Sequence, residues 1–192
     1  MLYHVSSVSG LTILEPRLST HGKAYVYAVE NLTTGLLFGA RQDDFDFLIS
    51  TTEEDIPVIE ECYPGTFESV YRNKGCSVYE VSDDGFLRNA TGWSTELVCE
   101  HDVAVVREFR VDDLYDRLLK EADAGRLVIR RYTGSPENRQ RISNHIVDRL
   151  IRFSAVHTTD ERILGRYGDI IRELKKLMDG HLLPSHPDPL NK

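Results

Sequence analysis

The hydrophobic pattern of this chain changes period about two thirds of the way along, and that change constrains the fold more than any other feature. Up to about residue 132, apolar and β-branched residues occur in short runs separated by turn residues, which is typical of strands. After Ser135, apolar residues recur every three or four positions, as they do on one face of a helix. The sequence therefore predicts an α+β protein whose strands come first and whose last part is helical.

Seven runs in the first part predict strands, and turn residues such as Gly75 separate several of them. Asn31 predicts the N-terminal cap of a short helix over 32–38. Asp112 or Asp113 predicts the start of a firmer helix, which Gly125 ends. The predicted strands are 2–5, 24–29, 45–49, 58–62, 76–81, 103–111 and 127–132.

Two amphipathic helices are predicted in the last part of the chain. Ser135 followed by Pro136 predicts the start of the first helix, and Thr158 with Glu161 predicts a capping box at the start of the second, which ends at Gly180. We expect a helical hairpin that packs on the sheet, although the second stripe could instead be a dimer seam. The predicted organisation is an α+β core over 1–132, a helical hairpin over 133–183 and an irregular tail over 184–192.

Composition narrows the class of function. The chain has 192 residues, which is enough for a sizeable core, and its formal net charge is −8. A net negative charge does not indicate a protein that binds the phosphate backbone of a nucleic acid, because such a protein presents a basic face. The sequence contains no apolar run long enough to span a membrane and does not begin like a signal peptide, so we expect no membrane partner and a cytoplasmic location.

The N-terminal strand and the segments after it carry a recognisable order of residues. A strand that reads Tyr3-His4-Val5-Ser6 is followed by a short segment ending in Pro16. That order resembles the N-terminal half of ADP-ribosyltransferase-like domains of the His-Tyr-Glu type, which usually write this element as Tyr-His-Gly-Ser or Tyr-His-Gly-Thr. The resemblance implies a split-sheet core and a site for NAD as co-substrate, with His4, Val5 and Ser6 at the nicotinamide end.

A second element supports the same resemblance. The strand Tyr25-Val26-Tyr27-Ala28 leads toward the predicted short helix, as the tyrosine strand of that family does. Tyr27 would then stack on the nicotinamide ring. The alternative is that Tyr25 and Tyr27 are ordinary aromatic residues of a strand, since they share one face.

A glutamate at the start of a late strand would complete the family's triad. The passage Trp93-Ser-Thr-Glu96-Leu-Val-Cys, followed by Val103-Ala-Val, is similar to that part of the family and makes Glu96 the catalytic carboxylate. Glu80, in the strand over 76–81, is the rival candidate. The resemblance covers about residues 1–110.

The chemistry explains these residue types. Cleavage of the nicotinamide–ribose bond builds positive charge on the ribose, which a carboxylate can stabilise. The activity implied is transfer of ADP-ribose from NAD to a macromolecule. Val5 departs from the family's glycine and favours the alternative, a non-enzymatic binding or interaction module with a degenerate NAD site.

Overall fold

The fold is described from a computed structural model, which covers residues 1–18, 22–91 and 93–180. The chain divides into two compact units, Met1–Arg131 and Tyr132–Lys192. The described residues combine strands in two sheets with five α-helices, which confirms the predicted α+β class. The predicted tail over 184–192 lies outside the described residues, and the packing of the helical pair on the core stays a prediction.

All the strands among the described residues belong to the first unit. Three of them have the bounds that the sequence predicts, and four others differ by one or two residues at one or both ends. Four short or late strands were not among the predicted runs, and they include the strand that begins with Glu96. In chain order the strands are β1 Leu2–Ser6, β2 Ile13–Leu14, β3 Arg17–Leu18, β4 Ala24–Val29, β5 Phe47–Thr51, β6 Pro57–Glu61, β7 Cys76–Val81, β8 Leu87–Arg88, β9 Glu96–Cys99, β10 Val103–Val111 and β11 Val128–Arg130.

The larger sheet is antiparallel and has the order β2-β10-β7-β1-β4-β9-β8, with β3 also paired to β4. Its strand β7 is buried on both faces, because the neighbouring residues Val78 and Tyr79 belong to two different apolar clusters. A strand that is covered on both faces needs apolar residues at successive positions, which explains the nearly continuous apolar run of β7. The centre of this sheet therefore forms the core of the unit.

The smaller sheet has three strands in the order β11-β6-β5. Strand β11 runs parallel to β6, whereas β5 runs antiparallel to it. Every residue of β6 is buried, including Glu60 and Glu61. Arg130 and Arg131 lie 3.8 Å and 3.1 Å from these two carboxylates. A buried carboxylate needs such partners, because burial without one costs several kcal/mol.

Three helices complete the first unit: α1 Leu32–Leu36, α2 Thr66–Tyr71 and α3 Leu114–Asp123. The side chain of Asn31 accepts hydrogen bonds from two backbone amides of α1, which confirms the predicted cap. Asp113 caps α3 in the same way. Gly125 has a φ of 72° just after this helix, a conformation that glycine adopts without strain. Helix α2 was not predicted from the sequence.

The second unit contains the two predicted helices, α4 Pro136–Arg152 and α5 Glu161–Gly180, which contact each other. Ser135 caps α4 through the amide of Asn138, and a short 3-10 helix follows at Ala155–His157. The second cap differs from the prediction, because Asp160 immediately precedes α5 and its carboxylate accepts from the amide of Arg162. Helix α5 is also interrupted at Tyr167, where φ is −126°.

Candidate active site

Three strands of the larger sheet carry the predicted site residues and lie side by side. Strand β1 pairs with β4 at one position, Tyr3 opposite Val29, whereas β9 pairs with β4 over four positions. Glu96 is opposite Val29 in this register. Tyr3, Val29 and Glu96 therefore follow one another across β1, β4 and β9. The short pairing between β1 and β4 leaves His4 beside a place where the two strands part.

A cavity of about 290 Å³ opens at this place. Small-molecule sites commonly have about 300–1,000 Å³, so the cavity is just below the lower end of that range. His4, Val5, Tyr27 and Glu96 are among its lining residues, although up to 92 positions of sequence separate them. The remaining lining residues are Tyr3, Ala28, Val29, Gly35, Phe38 and Trp93.

His4 is held in one orientation by a hydrogen bond to the neighbouring strand. Its Nδ1 lies 2.7 Å from the backbone carbonyl of Tyr27. A carbonyl oxygen can only accept, so Nδ1 carries the proton, and in the neutral ring Nε2 carries the lone pair. Burial lowers the pKa of His4, the hydrogen bond to Tyr27 raises it in part, and the positive charge of Arg17 lowers it further. His4 can therefore act as a neutral hydrogen-bond acceptor for a ligand.

Tyr27 contributes an aromatic wall to the cavity. Its ring contacts that of Tyr25 edge to face, with 5.9 Å between centroids. Such edge-to-face contacts stabilise a ring pair and fix its orientation. Tyr25 is buried and Tyr27 is half-buried, so the ring that lines the cavity is the more exposed of the two. This arrangement suits stacking of a flat ring on Tyr27.

A second aromatic pair, Phe38 and Trp93, lines the same cavity and was not identified from the sequence as part of a site. The two rings are in edge-to-face contact, with 5.5 Å between centroids. Phe38 is 43% exposed, whereas the other residues that line the cavity are buried or half-buried. Phe38 follows α1 and Trp93 precedes β9, and no short motif in the sequence links the two positions.

The segment after α1 is anchored to the rest of the first unit. The buried hydroxyl of Tyr71 donates to the carbonyl of Leu37 at 2.7 Å. The hydroxyl of Thr33 in α1 donates to Glu121 of α3 at 3.1 Å, and Glu121 also binds Arg117 and Arg126. These bonds hold α1, and with it Phe38, over the cavity.

Val5 packs directly against helix α1. A Cβ built on Gly35 would lie 3.1 Å from a methyl group of Val5 and 3.1 Å from one of Val29. A side chain at this position would press on both methyl groups, so the close approach of helix α1 to the strands favours glycine here. Ser6 is at the end of β1, outside the described lining of the cavity, and its hydroxyl accepts from the amide of Val8.

The two candidate carboxylates have different surroundings. Glu96 lines the cavity and begins β9, where its amide donates to the carbonyl of Trp93 in a tight turn. Glu80 is outside the described lining and forms an ion pair with Arg107 at 2.5 Å. Of the two, Glu96 is the carboxylate that a ligand in the cavity would meet.

Several arginines that are close together in the sequence do not form a free basic patch. Arg126, Arg130 and Arg131 each lie within 3.8 Å of a buried glutamate.

Among the described residues, no group of three or more acidic, histidine or cysteine side chains could hold a metal ion. No helix in the described ranges is both long and apolar enough to cross a membrane.

No family model matches this chain, and neither the curated proteins nor the solved structures contain a significant match.

Proposed function

We propose that this protein binds NAD in the cavity between β1, β4 and β9 and transfers ADP-ribose to a macromolecular acceptor. One observation carries the proposal: His4, Tyr27 and Glu96 come from three separate strands and line a single cavity. These are the three residue types that the sequence resemblance requires, at the positions that it assigns.

Each side chain has a task in this chemistry. The ring of Tyr27 stacks on the nicotinamide, and His4 accepts a hydrogen bond from a ribose hydroxyl through Nε2. Glu96 stabilises the positive charge that develops on the ribose and accepts the proton of the attacking group. The bond between C1′ of the ribose and the pyridine nitrogen breaks, nicotinamide leaves with the electron pair, and a lone pair of the acceptor forms the new bond to C1′.

A second function is favoured by a specific observation, the side chain of Val5 in the cavity. A β-branched side chain occupies space beside a backbone that the resemblance places against the nicotinamide amide. The alternative is therefore a binding or interaction module that uses the same cavity without catalysis. Turnover separates the two functions, because a binding module binds its ligand saturably but does not release nicotinamide from NAD.

The test compares Glu96→Gln with Glu80→Gln. Release of nicotinamide from NAD is measured with and without a cell lysate as a source of acceptors. Glu96→Gln keeps the shape of the side chain but removes the charge, so we expect turnover to fall about 100-fold or more with unchanged melting. Glu80→Gln is the matched control, since it removes a carboxylate outside the described lining of the cavity, and we expect it to remain active.

Full turnover in Glu96→Gln would refute the assigned role of this carboxylate. Loss of turnover in Glu80→Gln alone would move that role to Glu80. Binding of NAD by the wild type without turnover under any condition would establish the binding module instead. No binding at millimolar NAD would refute the transferase and favour the non-enzymatic module with a degenerate NAD site, because substrate constants for working sites commonly lie between about 1 μM and 1 mM.

A further inference from the structure

One wall of the cavity is formed where Val5 of β1 packs against Gly35 of helix α1. Val5 and Gly35 both line the cavity, and a methyl group of Val5 lies so close to α1 that a Cβ on Gly35 would be only 3.1 Å from it. The third partner, Val29, is buried and contacts the same point. The Val5 side chain therefore has α1 close behind it, which leaves it little space to move away from a ligand.

We propose that Val5 is a specificity-determining residue of this cavity, which limits the size of the group that a ligand can place against β1. The inference rests on the proposed function for the identity of the ligand, a dinucleotide with a pyridine ring. Under the resemblance, residue 5 lies against the carboxamide of that ring. A carboxamide that carries an extra alkyl group would then collide with Val5, whereas the unsubstituted carboxamide is accepted.

The rigidity of the surroundings gives this limit its strength. Helix α1 is capped by Asn31 and joined to α3 through Thr33 and Glu121. A well-packed wall cannot absorb one more methyl group without moving its neighbours. In binding pockets, one methylene group changes discrimination by about 10–200-fold.

The experiment uses the single tryptophan of the chain, Trp93, as a reporter, because it lines the same cavity. Quenching of its fluorescence gives the Kd of NAD and of an NAD analogue with an N-methyl carboxamide. We expect the wild type to bind NAD at least 10-fold more tightly than the analogue. In Val5→Ala we expect this ratio to fall to about 2 or less, because the side chain that collides with the methyl group is gone.

Val5→Thr is the matched control, since threonine keeps the shape of valine at this position and should keep the wild-type ratio. Gly35→Ala tests the wall from behind, because its Cβ would press on Val5 and Val29. We expect it to weaken NAD binding, and the double variant Val5→Ala with Gly35→Ala to recover part of that loss. Thermal melting of each variant shows whether it is folded.

Two results would overturn the proposal in different ways. If wild type and Val5→Ala bind both dinucleotides with the same ratio, Val5 does not determine size, and the proposed function is untouched. If neither protein binds either dinucleotide while both remain folded, the proposed function fails and this inference fails with it. Binding of NAD by Val5→Ala alone would support the size limit and refute NAD as the ligand of the wild type.

Discussion

His4 makes two separable contributions, a hydrogen bond to the Tyr27 carbonyl through Nδ1 and the proposed ligand contact through Nε2, and two substitutions distinguish them. His4→Asn places an amide N–H near the position of Nδ1, so the bond to Tyr27 can survive while the acceptor at Nε2 is lost. His4→Phe keeps an aromatic ring of similar size but has no donor. We therefore expect His4→Asn to keep most of the stability and lose ligand binding, whereas His4→Phe loses both.

The magnitude follows from the local structure. The bond is 2.7 Å long and partly buried, so its loss leaves the carbonyl of Tyr27 without this donor. An unsatisfied buried group costs about 1–3 kcal/mol. At about 3 °C per kcal/mol for a chain of this size, the Tm of His4→Phe should fall by roughly 3–9 °C. His4→Asn should lose clearly less, and differential scanning calorimetry at pH 8 measures both.

The pH dependence gives a second check on the same residue. Burial lowers the pKa of His4 below its ordinary value of 6.5, so below pH 6.5 the unfolded chain binds a proton that the folded protein does not. The free energy of unfolding therefore decreases as the pH falls from 6.5 toward the pKa of the folded state. The contribution is fully present above pH 6.5. Both variants lack this group, so their Tm should change less than that of the wild type between pH 7 and pH 5.

Two outcomes would refute this reasoning. Equal losses of Tm in His4→Asn and His4→Phe would show that the bond through Nδ1 does not stabilise the fold. If the Tm of both variants changes between pH 7 and pH 5 by as much as that of the wild type, His4 is not held neutral by its surroundings.

Two further predictions concern the helix that covers the cavity. Asn31→Ala removes a side chain that accepts hydrogen bonds from two amides of α1, so the free energy of unfolding, measured with urea, should fall by about 1 kcal/mol. Asn144 is exposed, and as a control Asn144→Ala should change this free energy by no more than about 0.5 kcal/mol. Glu121→Ala removes a buried carboxylate bound by Thr33, Arg117 and Arg126, and it should cost about 1–3 kcal/mol in the same assay. Arg126→Ala removes only one exposed partner of that carboxylate and should cost less than about 1 kcal/mol, so a larger loss than in Glu121→Ala would contradict this account of the cluster.

The sequence by itself determined those strands and helix caps that depend on residues close together in the chain. The strand over 76–81 and the strand over 103–111 have the predicted bounds, because their apolar residues extend over the whole element. The caps at Asn31, Asp113 and Ser135 were also predictable, since a cap uses a side chain and amides only a few positions away. The predicted short helix differs only in where it ends, at Leu36.

Tertiary contacts decided the rest. Strands β2, β3 and β8 have two residues each, and such a short segment has no periodicity of its own and is a strand only because a neighbour supplies its hydrogen bonds. The order β1-β4-β9, which brings His4, Tyr27 and Glu96 to one cavity, depends on pairing between segments far apart in the chain.

The same reason explains which residues of the cavity could be named as candidates from the sequence and which could not. His4, Tyr27 and Glu96 were proposed from short motifs, whose residues are close together in the chain. The pair Phe38 and Trp93, and the contact of Val5 with Gly35, join residues at least 30 positions apart. Hydrophobic period is a property of neighbours in sequence, whereas the shape of a cavity is a property of neighbours in space, and the pairing of β1, β4 and β9 beside the capped helix α1 creates those neighbours.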